Sequence, residues 1–228
     1  MNEDTFKVFP LGDSALTLDL GDRISEGLNE KAIALSNHFE ANPFPGFIES
    51  VPAYSSVTVF YELLAVRRSF SDYICAFDAV KCLVENALAT MEVSAAKTNQ
   101  ILEIPVNFGG EAGPDLESMA QRSGLAPEEV VSIFVEPTYR VFMLGFLPGF
   151  SYLGEVDDRI ATPRHDSPRL TVQKGSVGIA GKQTGIYSLE SPGGWQIIGR
   201  TQTELFSSTN ENPCFLAPGD RVRFVSVR

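Results

Sequence analysis

Across the first ninety residues, apolar positions recur at a period of two in some runs and at a helical period in others. Ser14 to Leu20 (SALTLDL), Phe47 to Ala53 and Val57 to Glu62 read as strands, because alternate residues of a strand face opposite sides of a sheet. Ser25 to Glu40, with Ile33, Leu35 and Phe39 among its apolar positions, reads as a helix. So does Asp72 to Met91, apolar at Ile74, Phe77, Val80, Leu83, Val84 and Leu88. This βαββα order predicts a two-layer α+β sandwich of ferredoxin-like type over residues 1–92. A strand from Ile101 to Val106 either closes that series or opens the next unit.

The run MEVSAAKTNQ, Met91 to Gln100, is small and polar without an apolar period, and predicts a linker over 93–100. Beyond it, Asp115 to Ser123 and Pro127 to Phe134 predict two short helices, Pro114 and Pro127 suiting helix starts. From Tyr139 onward, short β-rich runs are broken by glycine and proline. They end in FLAPGDRVRFVSVR, where PGD signals a turn and Val222, Phe224 and Val225 sit among arginines. That spacing predicts an all-β, barrel-like second domain over 101–228.

Composition narrows the classes of partner. With 43% hydrophobic and 21% charged residues the chain has the make-up of a folded globular protein. No apolar run approaches the roughly 20 residues that a spanning helix requires. The start MNEDTFKVF carries acids where a secretory signal would carry bases, so the expected location is the cytoplasm. Cys75 and Cys82 lie in a predicted helix about 10 Å apart along its axis, too far to bridge, and are expected to be small core residues. Cys214 has no CxxC partner, and His38 and His165 stand far from any cysteine, so no metal is expected. The formal charge of −11 argues against nucleic acid or an anionic membrane as main partner. Arg159 to Arg200 runs the other way: Arg159, Arg164, Arg169, Lys174, Lys182 and Arg200 stand against only Asp166 and Glu190.

Inside that positive segment lies GSVGIAGKQTGIYSLESPGGWQIIGRT, Gly175 to Thr201. A glycine costs roughly 0.5–1 kcal/mol relative to alanine inside a regular element, so this many in one run need a reason. A phosphate loop is excluded, since Gly181-Lys182 is followed by Gln183 and the position of the first glycine holds Ser176. Neither GxGxxG in a βαβ unit nor the GxSxG nucleophile elbow is present. His165-Asp166 could orient a serine such as Ser176 or Ser191, but nothing in the sequence places them within reach. What remains is a pocket of backbone amides with Gln183, Thr184, Tyr187 and Ser191, an aromatic platform at Trp195, and arginines suited to a carboxylate or phosphate. The plainer alternative is that the glycines only shape hairpins and bulges of a small barrel.

These blocks carry a resemblance. GFLPGFSYLG (145–154), ATPR (161–164), PRLTVQKGSVGIAGKQTGIY (168–187) and ESPGGWQIIGRT (190–201) are similar to the signature blocks of the 5-oxoprolinase B-subunit family, also called allophanate hydrolase subunit 1. GGEAGPDL (109–116), TYRV (138–141), VPAYSSV (51–57) and PGDRVRFV (218–225) extend the match over nearly the whole chain. The resemblance implies a ferredoxin-like N-terminal domain and a cyclophilin-like β-barrel. It implies two partners, a C subunit similar to allophanate hydrolase subunit 2 and a sugar-deacetylase-like A subunit, with which 5-oxoproline is opened to glutamate using ATP as cofactor of the complex. The same family includes a Kip-type inhibitor that binds a sporulation histidine kinase, the alternative partner. Fold analogy alone would add a peptidyl-prolyl isomerase. In this reading Arg164, Arg169 and Arg200 contact the anionic group of a small substrate. Ser176, Gln183, Thr184, Tyr187 and Ser191 orient it, Trp195 packs over it, and Asp115 is the candidate acid or base. The glycine-rich barrel half is expected to close around that guest. Three positions depart from the family pattern: Phe134 stands where histidine is common, Lys182 where a small residue is, and Ser188 where proline is.

Overall fold

The alternating runs of the first half line up as one sheet with helices along one face. The computed structural model describes residues 6–91 and 101–227. It divides the chain into two compact units, Met1–Lys97 and Thr98–Arg228. The expected linker 93–100 lies outside the described residues. The first unit runs β1 (Lys7–Pro10), β2 (Ala15–Asp19), α1 (Glu26–Ala41), β3 (Phe47–Pro52), β4 (Ser56–Tyr61), α2 (Leu63–Ser69) and α3 (Ala76–Thr90). The strands pair antiparallel in the order β1-β2-β4-β3. Leu16, Leu18, Val57, Val59 and Tyr61 share a core with Leu28, Ala32, Leu35 and Phe39 of α1 and with Val80 and Val84 of α3. The period-two and helical patterns are therefore two halves of one buried layer.

Two elements of this unit have no counterpart in the pattern. Four-residue β1 is too short to show alternation. Helix α2 is started by Glu62, whose carboxylate accepts the backbone N–H groups of Leu64 at 3.0 Å and Ala65 at 2.5 Å; such a cap contributes about 1 kcal/mol. The helix expected from Asp72 begins only at Ala76. The Arg67 guanidinium donates to the carbonyls of Tyr73 and Ile74, each at 2.8 Å, and holds the preceding residues as a turn. Ile74, expected on the apolar face, is 91% exposed in consequence. The cysteine expectation is corrected too: Cys75 caps α3 in the open and Cys82 is only half-buried.

The second unit runs β5 (Ile101–Phe108), α4 (Leu116–Ser123), α5 (Pro127–Val135), β6 (Tyr139–Leu144), β7 (Ser151–Gly154), β8 (Arg169–Val172), β9 (Ser176–Ala180), β10 (Gln183–Ile186), β11 (Ser191–Gly193), β12 (Gln196–Arg200) and β13 (Arg221–Ser226). Seven strands close a barrel in the order β10-β7-β6-β13-β5-β12-β9. Only β13 and β5 run parallel, while β8 and β11 form a separate antiparallel ribbon. Strand β5 thus opens the second unit. No helix of the described residues is long and apolar enough to cross a membrane.

The barrel interior is packed with apolar side chains. Ile104, Val106, Val141, Leu153, Val177, Ile179, Ile198, Val222 and Phe224 join Met119 of α4 and Phe134 of α5 in one buried cluster, as expected of a small barrel whose inward side chains fill it. Phe134 is fully buried, with the rings of Phe108, Tyr139 and Phe224 centred 5.8, 5.4 and 4.9 Å away. The Tyr139 hydroxyl donates to the Phe134 carbonyl at 2.7 Å, and burial pushes its phenol well above the ordinary range. A guest held by the glycine-rich barrel half therefore has to sit outside the lumen, whose interior is apolar and occupied. Strand β12 faces two cores at once. Ile198 joins the barrel cluster, while Ile197 joins Phe150, Val172, Ala180, Tyr187 and Trp195 outside it.

Candidate functional site

The site is built on that outer face, around Asp115. A bulge in β12 between Ile197 and Gly199 interrupts its pairing with β9, and the GGEAGPD loop takes up the freed backbone. Gly109 donates to the Ile198 carbonyl and Asp115 to the Ile197 carbonyl, each at 3.0 Å. Gly113 permits this approach, for a β-carbon there would stand 2.0 Å from the Ile198 carbonyl oxygen. The loop delivers Asp115 to the start of α4 with 5% of its surface exposed.

The Asp115 side chain does not cap its helix. Its Oδ2 accepts the Ile197 N–H at 2.6 Å, and its Oδ1 accepts Nη2 of Arg169 in an ion pair. Nε2 of His165 stands 3.3 Å from Oδ2 without hydrogen-bond alignment, and that buried nitrogen has no other partner. Burying a carboxylate is expensive unless it is paired and hydrogen-bonded, and here both conditions are met.

An aromatic ledge continues the site. Arg169 also donates to the Trp195 carbonyl at 3.4 Å. The Trp195 ring meets Phe150 and Tyr152 edge-on at 5.6 and 5.9 Å, and the exposed Arg164 guanidinium lies 5.8 Å from its centre, a separation suited to cation–π attraction. Among the described residues Arg164 has no carboxylate partner. Burial raises the phenols of Tyr152 and Tyr187, and nearby Arg164 pulls both back. Gly193 lets β11 press on Tyr187, since a β-carbon there would fall 2.3 Å from the Tyr187 hydroxyl oxygen. Gln196 donates to the Pro163 carbonyl at 2.9 Å and accepts from Arg122 at 3.2 Å, which fixes the loop carrying Arg164 and His165.

Of the residues singled out in the sequence, Asp115, Arg164, Arg169, Tyr187 and Trp195 come together. Arg200 does not: it donates to Gln173 and lies three strand positions from Ile197, about 10 Å along β12. The Thr184 hydroxyl donates to the Gly178 carbonyl within the barrel wall, at 2.9 Å. Ser176 is buried in β9, Gln183 is half-buried at the start of β10, and the Ser191 hydroxyl turns to the Pro192 carbonyl at 3.1 Å. His165 faces Asp115 rather than forming a triad with Asp166 and a serine. Sequence reasoning missed that pairing, along with Arg122 and Gln196. The one available signal was a histidine set between two arginines of the positive segment.

A second depression, a cleft of about 550 Å³, includes Glu136, Glu155, Asp157, Asp158 and Lys182 in its lining. Lys182 pairs with Asp158 at 2.6 Å and Asp157 with Arg159 at 2.8 Å. The Arg159 hydrogen bonds hold the Asp157 carboxyl down at about 2. Four carboxylates around one paired lysine repel phosphate, so the Gly181-Lys182 turn does not fit a nucleotide. Among the described residues no His, Cys, Asp and Glu side chains are grouped to hold a metal ion.

An antiparallel α+β unit followed by a mixed barrel, with a charged aromatic ledge outside the barrel wall, defines the class. The chain belongs to the carboxyltransferase domain family, subdomain C and D, whose model matches residues 6–216. It is 45% identical to the B subunit of 5-oxoprolinase from Bacillus subtilis (strain 168), over 97% of this chain and 93% of that protein. It is 36% identical to the B subunit of 5-oxoprolinase from Escherichia coli O157:H7, over 96% of this chain and 95% of that one. The solved structure of TTHA0988 matches with a TM-score of 0.81 and 36% identity over 94% of this chain, which spans 40% of the TTHA0988 chain.

Proposed function

We propose that the chain is the B subunit of an ATP-dependent 5-oxoprolinase, hydrolysing 5-oxoproline to glutamate together with an A and a C subunit. The observation that carries this reading is a nearly end-to-end match, at 45% and 36% identity, to proteins of that name from two bacteria. The ledge supports it. 5-Oxoproline is a small ring bearing one carboxylate, and Arg164 is an exposed guanidinium with no carboxylate partner among the described residues, set over an aromatic platform. Arg164 binds that carboxylate through forked, charge-assisted bonds. Trp195 and Tyr187 are buried beneath Arg164 and form the floor of the site, and Arg169, already engaged by Asp115, borders it. ATP is handled by the partner proteins, since the glycine-lysine turn of this chain is ringed by acids. Three free cysteines agree with a cytoplasmic complex.

The finer fold names belong to the same reading. The β2-β4-β3 order backed by α1 and α3 supports a ferredoxin-like unit, with β1 at the edge beside β2. The closed seven-stranded barrel supports the cyclophilin-like one.

Reconstitution tests the function. The three purified proteins are mixed with 5-oxoproline and ATP, and glutamate is measured with and without this chain. Glutamate that requires all three is expected. No glutamate, or the same amount when this chain is left out, overturns the proposal; a histidine kinase whose autophosphorylation falls on adding the chain would instead favour the inhibitor reading.

A further inference from the structure

The contact between Asp115 and His165 carries the reading of this site one step further, and rests on it. Nε2 of His165 is shut away from solvent 3.3 Å from Asp115 Oδ2, yet 28% of the His165 side chain is exposed. The accessible part of the ring therefore lies away from Nε2. The carboxylate cannot turn aside, because Arg169 holds one oxygen and the Ile197 N–H the other. The backbone that carries the imidazole is also held, the His165 main-chain N–H donating to the Gly194 carbonyl at 2.7 Å. A fixed carboxylate places the proton of a neutral imidazole on the nitrogen that faces it, leaving the lone pair on the other. A contact of this length and poor alignment is common in sites that tighten only when substrate binds.

We propose that His165 is the acid–base group of the site, acting through Nδ1. Asp115 is a positioning residue that fixes its tautomer, and Arg169 keeps Asp115 in place. In lactam hydrolysis Nδ1 takes a proton from the attacking water as the water oxygen bonds to the lactam carbon. The same proton passes to the ring nitrogen as the carbon–nitrogen bond breaks. One water is thus fully accounted for, as the hydroxyl of the new carboxyl group and the proton of the new amine, and the imidazole returns to its starting state. The charged group in contact with the ring is Asp115, with Arg169 one step beyond on the same carboxylate, while Arg164 and Asp166 flank His165 in the chain.

Two measurements test the proposal. On the full isolated chain, ¹⁵N NMR of the histidine ring, with its signal identified by His165→Gln, is expected to show the neutral form protonated at Nε2, and Asp115→Asn is expected to abolish that preference. In the reconstituted complex His165→Gln is expected to lower kcat about 10²–10⁴-fold with KM little changed. Asp115→Asn should lower kcat with KM little changed, in step with the loss of the Nε2-protonated tautomer seen by NMR. A neutral ring protonated at Nδ1 overturns the proposal, and so does a His165→Gln complex keeping more than about a tenth of wild-type kcat. A wild-type complex that makes no glutamate refutes the 5-oxoprolinase reading instead, and the NMR measurement then still decides the tautomer.

Discussion

Replacing Gly113 with alanine tests how the site is assembled, because the obstruction there is close contact rather than backbone conformation. The new β-carbon would stand 2.0 Å from the Ile198 carbonyl oxygen, 2.3 Å from its carbon and 2.7 Å from the Gly109 nitrogen. Ordinary contact begins near 3.4 Å, so the loop must retreat from β12 by more than an ångström. The bonds Gly109 N–H to Ile198 and Asp115 N–H to Ile197, both at 3.0 Å, then pass beyond hydrogen-bond range, and the 2.6 Å bond from Ile197 to the Asp115 carboxylate goes with them. Two neutral bonds at about 1 kcal/mol each and one to a buried charge at about 1.5–3 kcal/mol give a loss of about 3.5–5 kcal/mol. Trp195 is the chain's single tryptophan and is 5% exposed in this unit, so its fluorescence reports urea unfolding of the right part. At an m-value of about 2 kcal/mol/M the midpoint should fall by about 2 M. Gly110→Ala is the control: it lies in the same loop, has φ +52 and nothing within 4 Å, and should cost only about 1–2 kcal/mol of backbone strain. A Gly113→Ala midpoint equal to or above that of Gly110→Ala would refute the close-contact argument.

Arg164→Met should raise KM for 5-oxoproline in the reconstituted complex about ten- to a hundredfold, the loss of a charge-assisted contact, while leaving the unfolding free energy by urea within about 0.5 kcal/mol of wild type at this exposed position. Phe134→Ala should cost about 3–5 kcal/mol by urea unfolding; Phe134→His should destabilise as well, since it places a polar ring among Phe108, Tyr139 and Phe224. Carboxyl NMR should find Asp157 titrating at about 2, and Arg159→Ala should return it to about 3.9. Because the folded value is the lower one, the stabilisation from this pair is complete above the unfolded value near 4 and is lost as the pH falls through 2.

The patterns legible in the chain are those set by neighbours in sequence. Leu16 and Leu18 alternate because a strand does, and Leu28, Ala32, Leu35 and Phe39 recur because a helix does, so both layers of the first unit could be read directly. Pro127 and the apolar positions after it placed α5 in the same way. Helix α2 and the late start of α3 could not be read, since one depends on the Glu62 carboxylate and the other on an arginine reaching across a turn. The glycines of the second unit announced close backbone approaches without saying what approached. Folding decided that the barrel interior would be filled, that β12 would bury Ile198 on one side and Ile197 on the other, and that Arg200 would leave the arginine group. It also brought Asp115 to Arg169 and His165. Periodicity records which face of an element is buried; the partner of a buried charge is chosen by register, bulges and loop closure among distant segments, and these exist only once the chain has packed.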